Sequence, residues 1–269
     1  MHLSPNDSNQ YRYITLSNDL RVLLIHSETA QQSAAALAVN VGHFDDPNDR
    51  QGLAHYLEHM LFLGTEKYPK VGEFQSYISQ HGGTNNAWTG TEHTCFFFDV
   101  TPNAFENALD RFSQFFTAPL FNEEALDKER QAVDSEYKLK LNDDSRRLYQ
   151  VNKEVINPDH PFSKFSVGNL DTLGDRDGKS IRDEIVEFHH SQYSADLMTL
   201  TLFGPQSLDA QQAWVEAMFA NIPNHHLRGK SIDVPISTKE STGILVQVEP
   251  IKEFRKLILT FPMPGMDKH

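Results

Sequence analysis

The sequence is poor in cysteine, in long apolar runs and in positive charge, and each shortage excludes a class of protein. Cys95 is the only cysteine among 269 residues, which excludes an intramolecular disulfide framework and a metal site built from cysteines. No stretch approaches the ~20 consecutive apolar residues that a membrane-spanning helix needs. Lysine and arginine number 24 against 37 aspartates and glutamates, a formal net charge of -13, which argues against nucleic acid or a membrane as the main partner.

The expected compartment follows from the same shortages. A single cysteine suits a reducing compartment. Residues 1–17 are polar and contain no basic region followed by an apolar stretch. The cytoplasm is therefore the expected location, and the periplasm stays open if a signal peptide has been removed.

The chain does contain enough apolar material for a core, with 39% hydrophobic and 10% aromatic residues. Apolar spacing and turn residues predict strands at 18–27, 33–44 and 197–204, one or two strands over 86–100, and helices at 52–64, 71–83, 103–118, 123–141, 181–190 and 207–220. The first two strands are expected to form a hairpin or a neighbouring pair. Residues 157–180 are rich in turn residues and predict a loop.

This order of elements predicts an α+β fold in which a mostly antiparallel sheet has helices packed on one face. Residues 222–243 predict a linker, and 243–250 and 256–264 predict two further strands. We therefore expect a first domain over residues 1–230. Residues 231–269 are expected to be a linker and the truncated start of a second domain.

A metal site is indicated by His55 and His59 in HYLEHMLFLG, residues 55–64. Residues four apart lie on one face of a helix about 6 Å from each other, close enough to bind one ion. Glu58 lies between them, where a carboxylate can act as a base toward water on a zinc ion. H-x-x-E-H is the reverse of the H-E-x-x-H zinc pattern. A solvated helix face with chance histidines is the alternative, and the surrounding leucines weigh against it.

A third ligand is expected from the helix at 123–141. Leu126, Glu129, Val133 and Glu136 follow one another at spacings of three, four and three, so both glutamates lie on the stripe that packs inward. Buried carboxylates need a compensating charge, which an ion on the two histidines would supply. Ordinary surface glutamates paired with Lys128 or Arg130 remain the alternative.

Several segments together carry a family resemblance: GLAHYLEHMLFLGTEKYP, HGGTNNAWTGTEHT, ERQAVDSE, NPDHPFSKFSVGNLDTL and YSADLMTL. From about residue 12 to the C-terminus, the chain resembles the insulysin/pitrilysin family of zinc metallopeptidases. The resemblance implies one zinc ion held by His55, His59 and Glu136, with Glu58 as the general base. It also implies that Glu129 orients the site.

The resemblance further implies that Asn86, Ala87 and Trp88 form an edge strand to which a peptide substrate adds as a β-strand. Such pairing uses main-chain hydrogen bonds and reads little side-chain sequence. Simple core packing is the alternative for Trp88. Glu92 and His93 are interpreted as structural or near the site, without a catalytic role.

The resemblance implies two kinds of partner: peptide substrates and the C-terminal half of the same full-length protein. Family members contain four related domains in two halves that enclose a chamber, and this chain corresponds to the first domain and the opening of the second. The expected activity is that of a zinc metalloendopeptidase, weak in the isolated fragment. A non-catalytic relative of the same fold and a zinc hydrolase of a non-peptide amide remain alternatives.

Overall fold

The computed structural model describes residues 4–176, 178–227, 229, 231–253 and 255–263. The strands are β1 Gln10–Thr15, β2 Arg21–His26, β3 Ser33–Val39, β4 Thr84–Thr89, β5 Thr94–Val100 and β6 Met198–Gly204. The helices are α1 Leu53–Leu61, α2 Glu73–Gln80, α3 Phe105–Thr117, α4 Glu123–Lys140, α5 Asp144–Val155, α6 Ile181–Gln192 and α7 Leu208–Phe219. Residues 177, 230 and 264, which belong to the predicted loop, domain boundary and last strand, lie outside the described part.

The described strands form one sheet in the order β1-β2-β6-β3-β5-β4. The parallel pair is β2 with β6, and the other four neighbouring pairs are antiparallel. The predicted α+β class with a mostly antiparallel sheet is thereby confirmed. β4 stands at the end of this order, so one of its edges is open to a further strand.

Alternating burial explains how the sheet carries the helices on one face. β3 and β6 alternate strictly between buried and partly buried residues, and their facing Leu37 and Leu200 are both fully buried. α3 adds Phe112 to this layer, with its ring centroid 5.2 Å from that of Phe98. No helix among the described residues is both long and apolar enough to cross a bilayer.

The predicted pairing of the first two strands is wrong, because β6 lies between β2 and β3. β6 presents buried leucines to both neighbours, with Leu202 opposite Leu24 of β2 and Leu200 opposite Leu37 of β3. The centre of a sheet buries more apolar area than a local hairpin would. β2 instead forms its hairpin with β1. Sequence reasoning did not predict β1, because its residues are exposed or only partly buried and leave no clear apolar pattern.

The strands predicted at 243–250 and 256–264 are also wrong over their described residues, which form no strand. A strand needs a neighbour for its backbone hydrogen bonds, and no described segment pairs with this region. Its apolar side chains are exposed, with Leu245 at 89% and Leu257 at 79%. The main chain at Ile251 and Lys252 donates to the carboxylate of Asp144 on α5.

Candidate metal centre

Helix α1 holds the two predicted histidines against the core. Leu57, Met60 and Leu61 are fully buried, so the helix cannot rotate without exposing them. The buried carboxylate of Asp46 accepts hydrogen bonds from the amides of Gly52 and Ala54 at 2.7 Å each, which satisfies free amide groups at the helix N-terminus. Burial raises the pKa of Asp46 to about 7 against the opposing effect of these bonds.

The rings of His55 and His59 lie side by side on one face of α1, with centroids 4.8 Å apart. Nδ1 of His55 lies 2.6 Å from the carbonyl oxygen of Val167 and donates its proton there. Burial lowers the pKa of His55 to about 4, so this ring is neutral. A neutral ring protonated at Nδ1 presents the Nε2 lone pair to the site.

His59 has a different partner and the opposite charge preference. Its Nδ1 lies 2.6 Å from a carboxylate oxygen of Glu129 on α4. Burial disfavours the protonated ring, but the hydrogen bond with Glu129 and the nearby carboxylate of Glu136 outweigh burial and raise the pKa of His59 to about 9. The ring therefore attracts either a second proton or a cation at Nε2.

Glu136 completes a group of three donors. Its Oε2 lies 3.5 Å from Nε2 of His55 and 3.7 Å from Nε2 of His59. His59 first, and an ion pair with Lys140 next, hold the pKa of Glu136 far below its usual range. The three ligand atoms all lie within 4.8 Å of one another.

These donors suit a zinc ion in geometry and chemistry. With zinc–ligand bonds of ~2.0–2.1 Å, ligand atoms in a tetrahedral site are about 3.3 Å apart, close to the separations of Glu136 from both rings. Both Nδ1 atoms are already bound to Val167 and Glu129, so both Nε2 atoms are available. Two imidazoles and one carboxylate also form the donor set of known catalytic zinc sites that leave a fourth position open.

Glu58 lies beside this group but outside it. Its side chain is buried, at 8% exposure, and its Oε2 accepts a hydrogen bond of 2.5 Å from the hydroxyl of Thr89. Burial raises the pKa of Glu58 above its ordinary value. A carboxylate with a raised pKa next to a metal-binding group is typical of an acid–base catalyst.

The predicted substrate strand forms the opposite wall of the cleft. Asn86, Ala87 and Trp88 lie on β4, the end strand of the sheet. The backbone amide of Ala87 donates a hydrogen bond of 2.9 Å to the side-chain oxygen of Asn86. Trp88 is 44% exposed and stacks edge-on against His93 at 4.7 Å, so the core-packing alternative is wrong. Together these walls enclose a cleft of about 760 Å³.

Sequence reasoning missed the neighbours that hold the site in place. Thr89 bonds to Glu58, the carbonyl of Val167 orients His55, and Lys140 pairs with Glu136. The ion pair of Lys140 with Glu136 could have been predicted from the sequence, because Lys140 follows Glu136 by four residues on one helix. Thr89 and Val167 come from distant segments, and their residue types carry no signal of such a role.

The fold and the site together define a class of protein: an α+β metallopeptidase-type domain with an H-x-x-E-H helix facing an edge strand. Comparison with known proteins identifies the family. The family described as Insulinase (Peptidase family M16) matches residues 21–159, and the one described as Peptidase M16 inactive domain matches 180–269. The chain therefore belongs to the insulinase family of peptidases, M16.

Individual relatives agree with this assignment. The chain is 42% identical to human insulin-degrading enzyme, over 94% of this chain and 25% of that protein. It is 40% identical to a putative zinc protease of Schizosaccharomyces pombe, over 97% of this chain and 27% of that protein. The crystal structure of pitrilysin superimposes with a TM-score of 0.86 at 38% identity, covering 89% of this chain and 26% of that one. The chain thus spans about a quarter of the length of these relatives.

Proposed function

We propose that this chain is the zinc-binding, catalytic portion of a longer metalloendopeptidase that hydrolyses oligopeptides and small polypeptides. The observation that carries the proposal is the convergence of His55, His59 and Glu136, with Glu58 beside them and an open edge strand opposite. A purely structural relative would have no need of this arrangement. Pitrilysin-like architecture and the zinc protease relative support the same reading.

One zinc ion is proposed to bind through Nε2 of His55, Nε2 of His59 and a carboxylate oxygen of Glu136. When bound, the ion would act as a Lewis acid that polarises the scissile carbonyl and lowers the pKa of water. Glu129 keeps the His59 ring in place through its bond to Nδ1. Lys140, paired with Glu136, limits the freedom of that carboxylate.

Glu58 is proposed to move the proton. Thr89 occupies its Oε2, so Oε1 is left to accept a proton from the attacking water. Glu58 accepts this proton as the carbon–oxygen bond forms and returns it to the leaving amine as the carbon–nitrogen bond breaks. The raised pKa of Glu58 suits a group that must both accept and donate near neutral pH.

The edge of β4 is proposed to hold the peptide. Strand addition next to Asn86, Ala87 and Trp88 would use main-chain hydrogen bonds and place the scissile bond across the cleft from α1. Because recognition of this kind depends little on side chains, it suits an enzyme with varied peptide substrates.

The domain limits are also a proposal. β6 lies between β2 and β3, so the sheet is complete only with residues 198–204. α7 then packs Val215 and Phe219 into the core. We therefore place the first domain at 1–230, and 231–269 as a linker and the start of a second, related domain whose partner is the remainder of the full-length protein.

Zinc analysis combined with turnover tests the proposal. We expect about one zinc per chain after exhaustive dialysis of the wild type, and strongly reduced zinc in His59→Ala and Glu136→Gln. Glu58→Gln should keep its zinc and lose ~10²–10⁴-fold in turnover of a peptide by the full-length protein. His190→Ala, which removes an exposed histidine on α6, is the matched control and should retain both. Equal zinc in all variants would refute the ligand assignment.

A further inference from the structure

The charged side chains that line the cleft are paired, with one exception. Glu129 bonds to His59, Glu136 pairs with Lys140, and Glu58 bonds to Thr89. Arg146 also lines the cleft, but its guanidinium makes no ion pair or hydrogen bond with a described residue. The cleft therefore contains one arginine whose charge is free to meet a ligand.

The position of Arg146 has no evident benefit for its own helix. It lies in the first turn of α5, where the positive end of the helix dipole disfavours a cation. Its backbone amide, not its side chain, bonds to the capping carboxylate of Asp143 at 2.9 Å. The charge at this position is therefore more easily explained by what enters the cleft than by helix stability.

Neighbouring aromatic residues make the surroundings of Arg146 a defined wall. Tyr149, one turn further along α5, also lines the cleft. Its ring packs edge-on against Phe162 at 5.5 Å, and Lys153 lies 5.0 Å from its centroid. A guanidinium that lines the same cleft as this ring offers a planar fork of donors that matches a carboxylate.

We propose that Arg146 forms a cationic subsite that binds a carboxylate of the peptide substrate on one side of the scissile bond. The inference rests on the proposed function and adds a substrate preference to it. The chain as a whole carries a net charge of -13, which repels acidic peptides in general. The preference is therefore positional: one acidic residue in register with Arg146 is favoured, and acidic residues elsewhere are not.

Direct binding tests the subsite without relying on turnover. The full-length protein with Glu58→Gln is titrated with labelled peptides in which Glu replaces Gln at each of three positions on either side of the scissile bond. Each peptide is made with a free and with an amidated C-terminus. At one position we expect Glu to bind about tenfold more tightly than Gln, as for a charge-assisted hydrogen bond. A preference that requires the free C-terminus would identify the terminal carboxylate as the ligand.

Variants of Arg146 then assign the preference. Arg146→Gln in the same background should abolish it, and Arg146→Glu should replace it with a preference for Lys at that position. Lys128→Gln removes one positive charge from an exposed site on α4 outside the cleft and should leave the preference intact. This control separates a local contact from the general charge of the protein.

Two results would overturn the inference. One is equal binding of Glu and Gln peptides at every position, and the other is an unchanged preference in Arg146→Gln. If Arg146→Gln weakened the binding of acidic and neutral peptides equally, that result would also contradict a charge-selective subsite. The proposed function is tested separately, by measuring the zinc content and the cleavage of neutral peptides with the full-length protein that retains Glu58. Cleavage without a preference refutes the subsite alone, and a preference without cleavage refutes the peptidase proposal alone.

Discussion

At the scale of single residues, two histidines one helical turn apart acquire opposite charge preferences from their Nδ1 partners. Because the carbonyl of Val167 is uncharged, burial is the dominant effect at His55 and lowers its pKa to about 4. A carboxylate at Glu129 outweighs burial, and the pKa of His59 rises to about 9. The same carboxylate makes the imidazole more electron-rich and therefore a stronger ligand.

Replacing Glu129 should weaken zinc binding without removing the ligands. Glu129→Gln keeps an oxygen that can accept from Nδ1 of His59 but loses the negative charge, and we expect ~10–100-fold weaker zinc affinity. Competition with a chelator of known affinity measures the change. Glu124→Gln, an exposed position on the same helix, is the matched control and should bind zinc as the wild type does. Equal affinity in both variants would contradict the orienting role of Glu129.

Helical spacing explains why the ligand positions could be predicted and their supports could not. His55 and His59 lie four residues apart, and Glu136 shares an inward stripe with Glu129. Spacing along the sequence was therefore enough to predict which face of its helix each of these residues occupies. The roles of Val167, Thr89 and Arg146 depend on where a loop, a strand end and a missed helix meet α1 and the cleft. No local pattern encodes such meetings.

At the scale of elements, α1 starts where two backbones nearly touch. Gly52 has a φ of +93°, and a Cβ added to it would lie 2.3 Å from Cα of Gly168. Gly168 follows Val167, whose carbonyl orients His55. The glycine contact therefore connects the start of the helix with the loop that fixes a proposed zinc ligand.

Enlarging Gly52 should affect both stability and metal binding. Gly52→Ala adds left-handed backbone strain, roughly 1–2 kcal/mol, and a clash that displaces the loop carrying Val167. Gly72→Ala is the matched control, because Gly72 also precedes a helix with φ +77° but has nothing within 4 Å of an added Cβ. Denaturant unfolding and zinc titration should show a larger loss of stability in Gly52→Ala, and weaker zinc binding in that variant alone. Equal losses of stability with unchanged zinc affinity would contradict this connection.

Element prediction succeeded where local patterning and tertiary burial agree. Helices α1 to α4, α6 and α7 and strands β2 to β6 all overlap predicted segments, although β4 begins two residues before the predicted 86–100 and α6 extends two residues beyond 181–190. Except in β4, which has no buried residue, their apolar residues face the core. Helix α5 was missed because among its residues only Lys153 is buried. At 243–263 the apolar alternation is real, but without a neighbouring strand it produces exposed side chains and no sheet.

At the scale of the whole molecule, the residues proposed to carry out the chemistry are distinct from the walls needed to enclose the cleft. The proposed ligands and base all lie between residues 55 and 136, and their supports extend to Val167. The cleft, however, is bounded in the described part by α1, α4, α5 and β4, with the edge of β4 open. The curated relatives are about four times as long as the segment that they share with this chain.

The last prediction concerns this division. The 269-residue chain should fold and bind zinc but be a poor peptidase by itself, because catalysis also needs preorganised donors for the developing oxyanion. Loss of one such donor typically costs ~10²–10³-fold in rate, and we expect the remainder of the full-length protein to supply these donors and the second wall of the cleft. Turnover of a fluorogenic peptide is compared for this chain, for the full-length protein, and for this chain mixed with the separately produced remainder.

Recovery of activity on mixing should require an intact base in this chain. The same mixture prepared with Glu58→Gln is the control, and it should stay inactive although it binds zinc and the remainder equally well. If activity recovers in the mixture with the wild-type chain and not in the mixture with Glu58→Gln, the proton transfer is carried out by this chain. The additional rate acceleration then comes from the remainder of the protein. Full activity of the 269-residue chain by itself would refute the division, since the open cleft would then be sufficient for catalysis.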